Sequence, residues 1–361
     1  MNHDKTGMLR VGGFAVVLAA SLAASYFTWT TPQDELKPGS TEKVAMFTAS
    51  RDEVTRITWT SDNLTVDVER KTDERGAFTW ITATETIERK VPPPPPATDT
   101  DAPLPEPPPE KVTTTAKFRG NDQAEKLWGS FSPLMAMRQL DGDSAVFGFD
   151  APKATLAIDR GGRAAEMKLG GETYGSKDRF VQYDGKAWLV DDADLRPIQF
   201  AKSRLMERGL QPLVRKDIAA IQIKSEKGEA VYEQKNRQDE PNARWSNVKD
   251  PEREDPVGAA WIDKLLKNKV QSYPSADDAP PASLKPVFSV IVQGDTEKWP
   301  ITFLVGTGKN DAPEYWAESA YDRSLVKLVS AAASEVIADV DAAVASSGGG
   351  GAEGEDAEKT P

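Results

Sequence analysis

Two acidic runs carry the residue types best suited to chemistry in this chain, Asp141-Gly142-Asp143 and Asp191-Asp192-Ala193-Asp194. Closely spaced carboxylates are hard oxygen ligands, and calcium takes about six to eight oxygens in a shaped loop. Neither run has the Asp-x-Asp-x-Asp-Gly spacing with a distant glutamate that builds such a loop. Aspartate is common in turns because its side chain bonds the nearby backbone, so both runs read as solvated turns. Paired carboxylates also drive glycoside hydrolysis, but among 57 Asp and Glu residues no pair stands out. Gly161-Gly162 and Gly170-Gly171 have the backbone freedom of a phosphate loop. No Gly-Lys-Ser/Thr follows either pair, so both read as hairpin turns.

What is missing narrows the chemistry further. The 361 residues include no cysteine and one histidine, His3. Disulfides, Cys-ligated zinc, iron–sulfur clusters, thiol nucleophiles and a lipid-bearing cysteine are excluded. Past residue 3 there is no imidazole for a triad, a metal site or a general base. General acid–base catalysis most often uses histidine, so the composition weighs against an enzyme. No catalytic, cofactor-binding or metal-ligating residue is assigned, and no cofactor is expected. A net charge of −12 argues against a nucleic-acid partner. Trp80, Trp128, Trp188, Trp245, Trp261, Trp299 and Trp316 would suit a sugar-binding surface. Their recurrence in both halves of the chain is explained more simply by core filling.

Those halves are the organising feature. Ile57-Thr58-Trp59 and Ile221-Gln222-Ile223 each open a β-like run, and Trp80 and Trp245 each sit in a strand-like segment. An amphipathic helix follows in each half, then Leu169-Gly170 with Phe180-Val181, or Val305-Gly306 with Tyr315-Trp316. Self-similarity of this kind marks a duplicated module. The spacing from Trp80 to Trp245 is 165 residues and from Gly170 to Gly306 only 136, so the first copy is longer in its middle. There lies 91–110, half of it proline. Proline fixes φ and removes a donor, which predicts polyproline II reaching about 60 Å as the overgrown loop of a hairpin.

The alternation in Leu64–Arg70 predicts a half-buried strand, and Asp184-Gly185 predicts a tight hairpin turn. Asn121 caps a helix whose apolar face takes Leu127, Trp128, Phe131, Leu134 and Met135, broken or kinked at Ser132-Pro133. A polar helix around Ile198–Glu207 links the halves. Asp255 with Pro256 starts a second helix with Trp261, Ile262, Leu265 and Leu266 as its buried stripe, and an Ala-rich helix over Ser330–Val344 closes the chain's second half. The expected fold is α+β: two tandem modules, 51–210 and 211–345, each a mostly antiparallel sheet with one or two packed helices. Residues 346–361 read as a disordered acidic tail.

Residues 1–10 read as a cytoplasmic N-terminus. Val11–Trp29 contains no charge and just reaches the length that spans a bilayer. Lys5 and Arg10 precede it, and Tyr26, Phe27 and Trp29 end it, as expected for an anchor entering from the cytoplasm. A cleaved signal peptide is the alternative, with Ser21-Leu22-Ala23 as the cleavage site. Residues 30–50 read as a stalk. Either way, the bulk of the chain is expected to be exported into the periplasm; in the anchor reading the uncleaved segment holds it to the bacterial inner membrane.

One ordered set of segments carries a resemblance. It runs through Phe147-Gly148-Phe149-Asp150-Ala151-Pro152 and the strand Lys153–Ile158, then Leu169-Gly170, Phe180-Val181 and Trp188-Leu189-Val190. It ends with Ser203-Arg204-Leu205-Met206 through Leu213 into Ile218–Ile223. This set resembles the bacterial domain-of-unknown-function family 4340 over roughly residues 54–340. Phe149 stands where that family usually has leucine, and the Pro-rich insert is atypical. The resemblance implies a single-span, exported companion of an ABC-type transport or gliding-motility-like system, with an ATPase and a permease as partners. It supplies no catalytic residues. The alternative expectation is an envelope module that binds glycan or peptide through exposed tryptophans and a cleft between the modules.

Overall fold

The structure, a computed structural model, describes residues 43–90, 108–276, 278–308 and 311–346. The first half contains β1 (Val44–Phe47), β2 (Val54–Ser61), β3 (Leu64–Asp73), β4 (Gly76–Arg89), β5 (Glu110–Arg119) and helix α1 (Asp122–Ser130). There follow β6 (Leu134–Ala136), β7 (Arg138–Leu140), α2 (Ser144–Phe147), β8 (Ala154–Arg160), β9 (Arg163–Glu172), β10 (Arg179–Tyr183), β11 (Lys186–Val190), α3 (Asp192–Gln199) and α4 (Ala201–Arg204). The second half contains β12 (Ala220–Ser225), β13 (Gly228–Lys235), β14 (Arg244–Asn247), α5 (Pro256–Leu266) and β15 (Val270–Ser272). It ends with β16 (Leu284–Gln293), β17 (Lys298–Thr307), β18 (Pro313–Ser319), β19 (Ser324–Leu328) and α6 (Ser330–Ser346).

One nine-stranded sheet has the order β5-β4-β3-β2-β8-β9-β10-β11-β7, and one eight-stranded sheet has β14-β13-β12-β16-β17-β18-β19-β15. The second order repeats the first. β12, β13 and β14 stand where β2, β3 and β4 stand, and β16 to β19 stand where β8 to β11 stand. Each of these two sheets ends on a short strand, β7 or β15, and among their described strands β5 has no counterpart. Neighbouring strands pair antiparallel. The alternation is physical: Val66 and Val68 of β3 are buried while Thr65 and Asp67, their neighbours in the strand, are half-buried.

β4 and β5 pair out to Arg89 and Glu110, so the Pro-rich segment is the loop of a hairpin. Its residues 91–107 lie outside the described residues, as do the anchor or signal segment 11–29 and the tail after Ser346. Among the described residues, no helix is long and apolar enough to cross a membrane.

Several expectations are corrected. The stalk reading of 30–50 fails at its C-terminal end: β1 pairs with β6, and Met46, Phe47 and Ala49 are buried in the core. The helix over Leu127 and Trp128 stops at Ser130, before the cis Ser132-Pro133 bond. Leu134 and Met135 are therefore strand residues of β6 rather than members of the helical face. Gly170-Gly171 is no turn. It lies inside β9, where the Phe147 carbonyl oxygen would sit 1.9 Å from a side chain at Gly170. Gly161-Gly162 does turn between β8 and β9, with φ of +58° and +82°. The polar helix begins at Asp192 rather than near Ile198, and breaks at Phe200 into α3 and α4.

Candidate functional site at the junction of the sheets

The chain between the sheets does more than connect them. It runs along the open edge of β5, with Asn121 N donating to Leu205 O (2.8 Å) and Glu207 N to Arg119 O (2.9 Å). One residue later it joins β15, where Val270 N donates to Arg208 O (2.9 Å) and Arg208 Nη1 to Val270 O (3.0 Å). Residues 205–208 thus bond to the edge strand of each sheet.

Beside this ribbon lies a network of titratable groups from both halves. The Arg119 guanidinium stacks 3.7 Å from the centre of the Tyr321 ring and donates to the Tyr321 carbonyl. The Tyr321 hydroxyl donates to Glu207 Oε2 (3.0 Å), while Glu207 Oε1 accepts the backbone N–H groups of Arg208 (2.8 Å) and Gly209 (2.7 Å). The Tyr273 hydroxyl donates to Asp322 Oδ1 (2.7 Å). Trp80, Phe118 and Trp299 meet these tyrosines ring to ring. At the outer side Arg323 grips Asp73 through Nε (2.6 Å) and Nη2 (3.1 Å) and lies over the Phe78 ring.

Electrostatics follow from burial. Asp322 has no exposed surface, and its Oδ2 lacks a hydrogen-bond partner. Burial pushes its carboxyl up to about 7, against the hydrogen bond from Tyr273 and the charge of Arg119. Burial also pushes the Tyr273 and Tyr321 hydroxyls well above their ordinary value. Asp73 behaves oppositely, held at about 2 by its hydrogen bonds to Arg323.

A cavity of about 500 Å³ opens next to the network, between the linker and α5. Leu210, Leu213, Ile218 and Leu265 give it apolar walls, and Glu207, Asn268 and Tyr321 supply polar groups. This size falls in the range of small-molecule pockets.

The acidic runs lie elsewhere. Asp143 caps α2 through Ala145 N, and Asp191 caps α3 through Ala193 N (2.9 Å). Lys43 binds Asp191 (3.2 Å) and Asp194 (3.1 Å), and Asp192 is buried and pairs with Arg196. The second run is therefore a helix start held by a cation instead of a solvated turn. Among the described residues no three His, Asp or Glu side chains gather as a metal-binding group. Trp128, Trp188, Trp245, Trp261 and Trp316 are buried, whereas Trp80 and Trp299 are half-buried at the junction. The sequence reading missed Arg119, Glu207, Tyr273, Tyr321 and Asp322. They come from segments far apart, and none belongs to a motif.

The family model described as Domain of unknown function (DUF4340) matches residues 111–287. The chain carries a DUF4340 domain. The match spans β5 to β16, a narrower stretch than the 54–340 suggested by the sequence, and it contains the linker, Arg119, Glu207 and Asn268. No curated protein and no solved structure matches the chain.

Proposed function

We propose that this DUF4340 protein is a non-enzymatic auxiliary subunit, tethered to the bacterial inner membrane by its N-terminal segment. Its two sheets form tandem modules in the periplasm and work beside an ABC-type ATPase and permease. The observation that carries the non-enzymatic part is the junction. Its buried ionisable groups bond one another and the backbone across the two sheets, which is the work of a brace. Thiols are absent from the chain, and the one imidazole is at residue 3. The transport partners follow from the resemblance to the family. The Pro-rich loop at the end of the β4–β5 hairpin acts as a spacer in this reading.

The ligand-binding alternative has one observation in its favour, the cavity beside the linker. Its tryptophan surface is disfavoured, because five of the seven indoles are packed in the core. Gentle detergent extraction followed by native electrophoresis tests the auxiliary role. A band well above the size of the chain alone is expected, and a lone monomer would overturn the proposal.

A further inference from the structure

The two large sheets have one long edge among their described strands. At the other edges β7 and β15 have three residues each and β14 has four, whereas β5 has ten. Short strands are one way in which proteins blunt an edge. The C-terminal end of β5 is already covered, because residues 119–121 bond the linker in antiparallel register. The rest is open, and the ladder fixes which groups it offers. Gly120 N donates to Thr79 O (2.9 Å), and the pairing with β4 runs back to Glu110 without a shift of register. In an antiparallel ladder the bonding side alternates from residue to residue. Val112, Thr114, Ala116 and Phe118 therefore bond β4, and Lys111, Thr113, Thr115 and Lys117 aim their N–H and C=O groups outward. The side chains agree. The hydroxyls of Thr84 and Thr115 meet at 3.0 Å and those of Thr86 and Thr113 at 2.9 Å, the close approach of pairs that share no backbone bond. Among the described residues nothing bonds the outward groups of Lys111, Thr113, Thr115 and Lys117.

A row of outward N–H and C=O groups is matched along its length by another extended backbone. We propose that β5 takes an added antiparallel strand from a partner protein over Lys111–Lys117, with carboxylate side chains opposite Lys111 and Lys117. Both lysines are exposed on one face of β5 with Thr113 and Thr115 between them, and no ion pair joins either to a described residue. On the other face Val112, Thr114 and Ala116 are half-buried, which suits small apolar side chains in the incoming strand. The linker sets the direction, since it already adds to residues 119–121 antiparallel. A second copy of the chain fits poorly. A two-fold pairing that uses the whole open run centres on Thr114 and sets Lys111 opposite Lys117 of the second copy, and like charges directly opposite destabilise a pair of strands. The Pro-rich loop does not suit the edge either, because half of residues 91–110 lack an N–H. The inference needs only the edge and does not rest on the transporter reading.

The test titrates the full chain into three fluorescein-labelled heptapeptide amides and reads polarisation. These are Glu-Val-Thr-Val-Thr-Val-Glu, its analogue with lysine for both glutamates, and its analogue N-methylated at both threonines. The acidic peptide is expected to bind about tenfold tighter than the lysine analogue. N-methylation removes two of the donors aimed at β5 and is expected to abolish binding. In the protein, Thr115→Pro removes one outward N–H and leaves the donors of the β4 ladder in place, as proline at an edge allows, and should weaken binding about tenfold. Binding that survives N-methylation, a lysine analogue that binds equally, or no binding by the acidic peptide overturns the proposal. So does a Thr115→Pro chain that binds as the wild type does. A dimer of the wild-type chain in sedimentation that Thr115→Pro dissociates would assign the edge to a second copy and overturn it too.

Discussion

Asp322 and Asp73 are carboxylates of the same junction with opposite pH behaviour. Asp322 binds its proton more tightly in the folded chain than in the unfolded one, because burial raises it from 3.8 to about 7. Its stabilising share is complete below about pH 4 and is lost as pH rises through about 7. Asp73 is lowered to about 2, so its share is present above its unfolded value and is lost as pH falls through about 2. Stability measured by denaturant should therefore decline between about pH 4 and 7, and Asp322→Asn should flatten that decline. An unchanged slope in the variant would place the titration elsewhere. None of this was visible in the sequence, where Asp322 is one acid among 57. What sets it apart is its burial at the junction, which raises it against the opposing hydrogen bond of Tyr273 and charge of Arg119, both from segments distant in sequence.

Within elements, two glycines separate packing from propensity. At Gly170 in β9 a side chain would meet the Phe147 carbonyl, a backbone atom that cannot swing away. Gly170→Ala should cost about 1–3 kcal/mol of unfolding free energy, the usual penalty for overpacking. Gly129 in α1 has ordinary backbone angles and nothing within 4 Å of an added methyl. Gly129→Ala should stabilise by about 0.5–1 kcal/mol through helix propensity alone. Urea unfolding of both variants checks the pair, and equal effects would contradict the packing account. The sequence was readable where local rules decide. Asp184-Gly185 turns with both φ positive, Asn121 and Asp255 cap their helices, and β3 alternates as its residues demand. It was unreadable where pairing decides. β1 and β6 are too short to show a period and exist because they pair with each other. The Asp191 run looked like a turn because a helix cap uses the same side-chain-to-backbone bond.

Across the described residues, one hydrophobic cluster includes residues of both halves and the linker, among them Ile57, Trp128, Leu205, Ile221 and Trp261. With Arg119 and Arg323 also bridging the halves, the two sheets should unfold as one unit. Calorimetry of the wild-type chain should show one transition, and the double variant Arg119→Ala/Arg323→Ala should split it into two. Two transitions in the wild type would mean that the junction is not a brace. The repeated strand order was partly legible in advance, since Trp80 and Trp245, or Gly170 and Gly306, fall on corresponding strands. The brace was not legible, because sequence periodicity reports faces within an element and is silent on which faces meet.

In the proposed function this brace holds a partner-binding subunit together rather than an active site. Affinity purification of the full-length, C-terminally tagged chain from native membranes, with mass spectrometry of the proteins that follow it, tests that claim most directly. An ATPase and a multi-span permease are expected to be recovered with the chain. Recovery of the chain alone, or of cell-wall material without these subunits, would contradict it.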